Sequence, residues 1–181
     1  MKALVLVAYN ELVYQDWPDP VIADNEVLIR VKAAGICGSD VHGMDGSTGR
    51  RIPPIIMGHE ASGEIVHIGE RVTGWKPGDH VTFDSTIYHL DDWYSRKGLY
   101  NLGDGRRVLG VSTKEYRCHG AFAELVAVPQ HILYPIPNGV TFTQAALVEP
   151  AAVALHAVNI TPLSVEDTAL VVGSGMIGLF L

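Results

Sequence analysis

The sequence predicts a mainly β protein that passes, near residue 150, into the opening of an α/β unit. Three observations carry this. The first 135 or so residues alternate apolar and polar positions with period 2 between turn signals; after Ile136-Pro137-Asn138 the apolar spacing becomes helical; and Gly173-x-Gly175-x-x-Gly178 follows an apolar run.

KALVLVA, ELVYQDW and EVLIRVKAAGI read as the first three strands, separated by turn residues such as PDP and DN. GEIVHIGERV and GDHVTF continue the pattern across GWKPGD, and AFAELVAV adds another strand. TFTQAALVEPAAVALHAV then starts a helix at Thr141 or Thr143, and Pro150 is expected to bend or interrupt it. DTALVVG reads as a strand, and the glycine turn with the apolar helix start after it is the opening of a dinucleotide-binding unit. Such a glycine pattern also occurs in ordinary strand-to-helix turns. The acidic residue expected further on, to hold a ribose hydroxyl, lies beyond this sequence.

The 181 residues suffice for one substantial core, or for one domain and part of a second. A formal net charge of -7 without any basic block excludes general attraction to nucleic acid. The apolar runs at 145–157 and 168–181 are broken by Glu149, Pro150, His156 or glycines, so no membrane span is expected. No signal-peptide pattern follows Met1-Lys2, and a cytoplasmic location is the expectation. Cys37 and Cys118 can in principle pair, but a chain of this size needs no disulfide staple.

Cys37, in GICGSDVHG, stands beside Ser39, Asp40 and His42, while His59 and Glu60 are framed by Gly58 and Gly63. Thiolate, imidazole and carboxylate are all zinc ligands, and three protein ligands leave a catalytic zinc one open position. Glu149, a lone carboxylate in an apolar helical run, is a fourth candidate, since its burial without a cation or donor is costly. Singly, each has a plainer reading: a free cysteine after a strand is commonly a small buried hydrophobe, and a His-Glu pair is commonly solvated. Their coincidence favours a metal site.

In this order, GICGSDVHG, PPIIMGHEASGEIVHIGERV, KPGDHVTFD, GAFAELVAVP, ALVEPAAVALHAV and VVGSGMIGL resemble the first half of the zinc-dependent medium-chain alcohol dehydrogenases, most of all the polyol (sorbitol or iditol) branch. The resemblance implies a GroES-like β-barrel catalytic domain over residues 1–150, then a linker helix and the truncated first β-α element of a Rossmann domain over 151–181. It implies oxidation of a secondary, polyol-like alcohol to a ketone with hydride transfer to NAD or NADP. Cys37, His59, Glu60 and Glu149 match the zinc ligands, the last directly or through water; Ser39 and His42 match the proton exit, and Asp40 a brace for His59. Gly173, Gly175, Met176, Ile177 and Gly178 match the pyrophosphate cradle.

Relatives commonly carry a second, structural zinc on four cysteines. The equivalents here are His89, Asp92, Ser95 and Gly103, which do not complete a closed site, so one catalytic zinc is expected, with the lobe held by packing of Trp93, Tyr94 and Tyr100. Cys118, His67, His80, His131 and His156 receive structural readings. Further expectations are a small-molecule alcohol substrate, homo-oligomers for a full-length relative, and zinc binding without dehydrogenase activity for these residues alone. The alternative is a non-enzymatic zinc-binding or interaction module of the same fold; a zinc-free quinone reductase conflicts with Cys37, His59 and Glu60.

Overall fold

A computed structural model describes residues Met1–Leu181. Strands β1 (Lys2–Ala8) and β2 (Glu11–Asp16) form a hairpin whose turn is made by Asn10 at φ 62°, a conformation asparagine tolerates. Next come β3 (Glu26–Ala34), a short helix α1 (Gly38–Gly43) and β4 (Ile55–Ile56), which pairs with β1 to complete the three-stranded sheet β2-β1-β4. The chain continues through β5 (Ala61–Ile68), β6 (His80–Phe83), β7 (Thr86–Ile87), β8 (Arg107–Val108), β9 (Val111–Ser112), β10 (Arg117–Cys118), β11 (Leu125–Pro129) and β12 (Leu133–Pro135). Of these, β11-β3-β5-β6-β12 make an antiparallel five-stranded sheet, and β7-β8 and β9-β10 are two-stranded ribbons.

The period-2 pattern does what its chemistry dictates. Val27 and Ile29 of β3, Ile65 of β5, Val81 and Phe83 of β6, and Val126 and Val128 of β11 point to one side and bury almost completely in a single core. Each contributes about 1.5–3 kcal/mol by leaving water. Main-chain bonds from Leu4 to Phe122 and from Glu124 to Lys2 join the two larger sheets, so the β elements enclose the core as one body.

Thr141 is the helix start, with Gln144 completing a capping box for α2 (Phe142–Ala146). The helical run is interrupted beside Pro150, as expected: α2 ends at Ala146, Leu147 stands between, and α3 (Val148–Ile160) restarts with Pro150 in its first turn, where a missing N–H leaves no helical bond unmade. One expectation is corrected. DTALVVG forms no strand. Residues 168–172 pair with no other strand, and Leu170 and Val172 are exposed, because an apolar run becomes a strand only where a neighbour takes its backbone hydrogen bonds. The helix after the glycine turn is present as α4 (Met176–Phe180) and packs against α3.

Candidate metal centre

Cross-strand register builds the centre. Ala34, at the end of β3, lies opposite Ala61, at the start of β5, and the Gly35 N–H donates to the Glu60 carbonyl at 2.7 Å. The segments just outside this last pair are Cys37 on one strand and His59-Glu60 on the other, so residues distant in sequence meet at one end of the sheet. The ligand atoms of Cys37, His59 and Glu60 lie within 4.8 Å of one another. His59 and Glu60 are each 7% exposed and Cys37 is half-buried.

Two glycines allow the approach. A side chain at Gly35 would overlap the Glu60 carboxylate, and Gly58, at φ 89°, faces the Phe122 ring where a Cβ would collide.

Asp40 joins the two halves. One carboxylate oxygen accepts the Cys37 backbone N–H at 3.3 Å; the other accepts Arg51 Nη2 at 3.1 Å and lies 3.5 Å from His59 Nδ1. That Nδ1 is buried with no hydrogen-bond partner, the separation being ion-pair range rather than a formed bond. Burial disfavours the His59 cation, yet Asp40 first and Cys37 next outweigh it and hold the imidazole up at about 9. Asp40 is pushed the other way: burial raises it, and His59 and Arg51 bring it below the ordinary carboxylate range.

Glu149, in the first turn of α3, stands outside the trio and accepts Ser85 Oγ at 3.4 Å. Burial raises its carboxyl; His59 opposes that and the charge of Glu60 adds to it, so Glu149 feels both residues. Ser39 and His42 are exposed and lie one helical turn apart on α1.

Two cavities meet at the trio. One, of about 470 Å³, is bounded by Cys37, Glu60, Pro150 and the Gly173–Gly178 turn. The other, of about 590 Å³, is bounded by His59, Ser39 and the segments around Arg51 and Arg106. The donor set is chemically that of an open zinc site, and the orphaned buried Nδ1 beside a carboxylate is the arrangement that orients a metal-binding imidazole, so the residues fit the ion.

In the lobe, Asp92, Ser95 and Gly103 come together, and His89 lies beside Gly105 rather than Gly103. Asp92 Oδ1 accepts the N–H groups of Tyr94 (2.9 Å) and Ser95 (3.2 Å). Aromatic packing there pairs Tyr88 with Tyr100, stacked at 4.5 Å, whereas Trp93 is 60% exposed under Lys97. Cys118 packs against the main core, and the ring of His131 stands edge-on to Tyr88.

Sequence reasoning overlooked Arg51, which looks like a surface residue in GRR but is 3% exposed. Ser85 and Gly35 were missed as well. No local signal marks Gly35 or Ser85; for Arg51 the only hint is an arginine directly before the apolar run Ile52-Pro53-Pro54-Ile55-Ile56.

The family model of the alcohol dehydrogenase GroES-like domain matches residues 23–138. A sorbitol dehydrogenase of Halalkalibacterium halodurans is 38% identical over 182 residues, covering 99% of this chain and 51% of the relative. A D-arabitol-phosphate dehydrogenase of Enterococcus avium is 34% identical, covering 96% and 48% respectively. Among solved structures, galactitol-1-phosphate dehydrogenase of Escherichia coli superposes with a TM-score of 0.89 at 28% identity, covering 99% of this chain and 51% of that one. The 2R,3R-butanediol dehydrogenase of Bacillus subtilis does so with 0.84 at 34%, covering 99% and 52%. The chain thus spans about half the length of these relatives.

Proposed function

The chain belongs to the alcohol dehydrogenase GroES-like family, in the polyol branch of its zinc-dependent enzymes, and we propose that it forms the metal-bearing part of an oxidoreductase that oxidises a secondary alcohol of a polyol to a ketone, with NAD or NADP as hydride acceptor. The observation that carries this is the convergence of a thiol, an imidazole and a carboxylate within 4.8 Å.

Zinc, when bound there, supplies Lewis acidity toward an alcohol oxygen. Cys37, His59 and Glu60 would hold it, with Glu149 as a further acidic neighbour. Asp40 fixes the His59 ring. Ser39, which shares a cavity with His59, takes the alcohol proton, and His42, exposed one turn along α1, passes it to solvent. Gly173, Gly175, Met176, Ile177 and Gly178 receive the cofactor pyrophosphate, a reading supported by the cavity they share with Cys37 and Glu60.

In this reading residues 1–150 are the catalytic unit and 151–181 begin the cofactor unit. Zinc binding, one ion per chain, is proposed for these residues, and dehydrogenase activity for a protein of the relatives' length, acting in the cytoplasm as a homo-oligomer on a small alcohol. No helix is long and apolar enough to cross a membrane. Nucleic acid is not proposed as a partner.

The test is metal analysis of zinc-saturated, dialysed protein beside Cys37→Ser and His59→Gln, combined with NAD and NADP titration. One zinc per chain, lost in both variants, supports the reading; no zinc in the parent chain overturns it. Zinc retention without nucleotide binding in a full-length relative of this sequence would favour a non-enzymatic zinc module.

A further inference from the structure

The cavity that begins at His59 and Ser39 reverses the charge of the protein around it. The chain carries a net -7, with 13 lysines and arginines in all, yet Arg50, Arg51 and Arg106 stand on this one cavity against a single carboxylate, Asp104. Arg51 is committed to Asp40. Arg50 and Arg106 make no ion pair with any carboxylate and are exposed. They come from separate segments, the loop after α1 and the lobe before β8, and converge only through the fold. Thr48 adds a hydroxyl to the same lining.

We propose that this cavity selects a polyol carrying a phosphate monoester, with the carbinol end toward His59 and Ser39 and the phosphate toward Arg50 and Arg106. The orientation rests on the function proposed above; the anion site itself does not. A guanidinium is a planar fork that matches phosphate oxygens two at a time and stays charged at every relevant pH. Two such forks suit a group with three terminal oxygens and nearly two charges, whereas a carboxylate is satisfied by one. A volume of about 590 Å³ accommodates a small ligand of this length.

The experiment is calorimetric titration of the full chain with D-glucitol 6-phosphate, D-glucitol, D-gluconate and inorganic phosphate. The phosphate ester is expected to bind at least about tenfold more tightly than glucitol or gluconate, as one or two charge-assisted hydrogen bonds supply. Arg50→Gln and Arg106→Gln each reduce ester and inorganic phosphate binding about tenfold, leave glucitol binding unchanged, and melt with the parent; Arg71→Gln, the same charge change elsewhere, has no effect. Where a Gln variant fails to fold, the Lys variant at that position takes its place and is expected to keep phosphate binding in weakened form. Cys37→Ser separates the two proposals, because phosphate binding persists in it whether or not zinc binds the parent. The inference is overturned by an ester no tighter than glucitol, by gluconate equalling the ester, by an Arg50→Gln/Arg106→Gln variant that binds like the parent, or by phosphate binding that disappears in Cys37→Ser.

Discussion

Arg51 Nη2 donates to Asp40 Oδ1 across 3.1 Å, and the two side chains are only 4% and 2% exposed. Because both charges are out of water, removing one strands the other. Asp40→Asn preserves shape and deletes the charge, and we expect a loss of about 3–5 kcal/mol in urea unfolding. Part of it returns when Arg51→Met is added, since the stranded cation is then gone. As His59 loses its brace, zinc affinity falls roughly 10–100-fold in a competition titration. Unchanged stability in Asp40→Asn would sink this account of the pair.

Gly35→Ala places a methyl group where the Glu60 carboxylate lies. The carboxylate must turn away, whereas the β3–β5 pairing can remain. The expected result is at least about tenfold weaker zinc binding with a melting temperature close to the parent's. A variant that binds zinc normally would show that Glu60 is not held there.

The two thiols are expected to differ. Burial pushes the Cys118 thiol up to about 11, so little thiolate exists at pH 8 and alkylation is slow. Cys37, in the trio, reacts in chelator-treated protein and is protected when zinc is restored. Mass spectrometry after timed iodoacetamide treatment counts the labels: one fast label in apo protein and none in the zinc form. Fast labelling of Cys118 contradicts the burial argument.

His131 sets a pH dependence. Its Nε2 donates to the Tyr88 carbonyl at 3.1 Å, and burial, outweighing that bond, holds the ring below its ordinary value. As pH falls through about 6.5 the unfolded chain takes up this proton before the folded one. Stability from this group is therefore full above that pH, is lost as pH falls toward the lower folded value, and levels off beneath it. His131→Gln keeps an N–H donor but does not titrate, so its urea midpoint should decline less between pH 7.5 and 5 than the parent's. Parallel declines would exclude His131.

Asp92 takes over local ordering in the lobe by accepting two backbone N–H groups. Asp92→Ala removes the acceptor shared by those two donors, so the turn loses its local tie and opens more readily. Limited proteolysis is expected to cut the variant within residues 91–104 sooner than the parent, at unchanged zinc content. A drop in zinc content would reveal a metal in the lobe.

Which features could be read beforehand follows from where their causes lie. Cys37, His59 and Glu60 were legible because the residue types themselves carry the chemistry, and β3, β5 and β11 because alternation is local. Arg51 was not: its partner is 11 positions away, outside helical reach, and arginine is ordinarily solvated. The need for glycine at 35 arises only from β3 lying against the segment before β5. The 168–172 run was misjudged because apolarity does not supply a strand's partner.

That unpaired stretch also has a colloidal consequence. Leu170 and Val172, 86% and 90% exposed, lie in a segment whose amides and carbonyls no neighbouring strand takes up. Such a segment is completed by any chain that lies alongside it, another copy of itself included. A Val172→Lys substitution, which places a charge on that segment, is therefore expected to lower light scattering in concentrated solution.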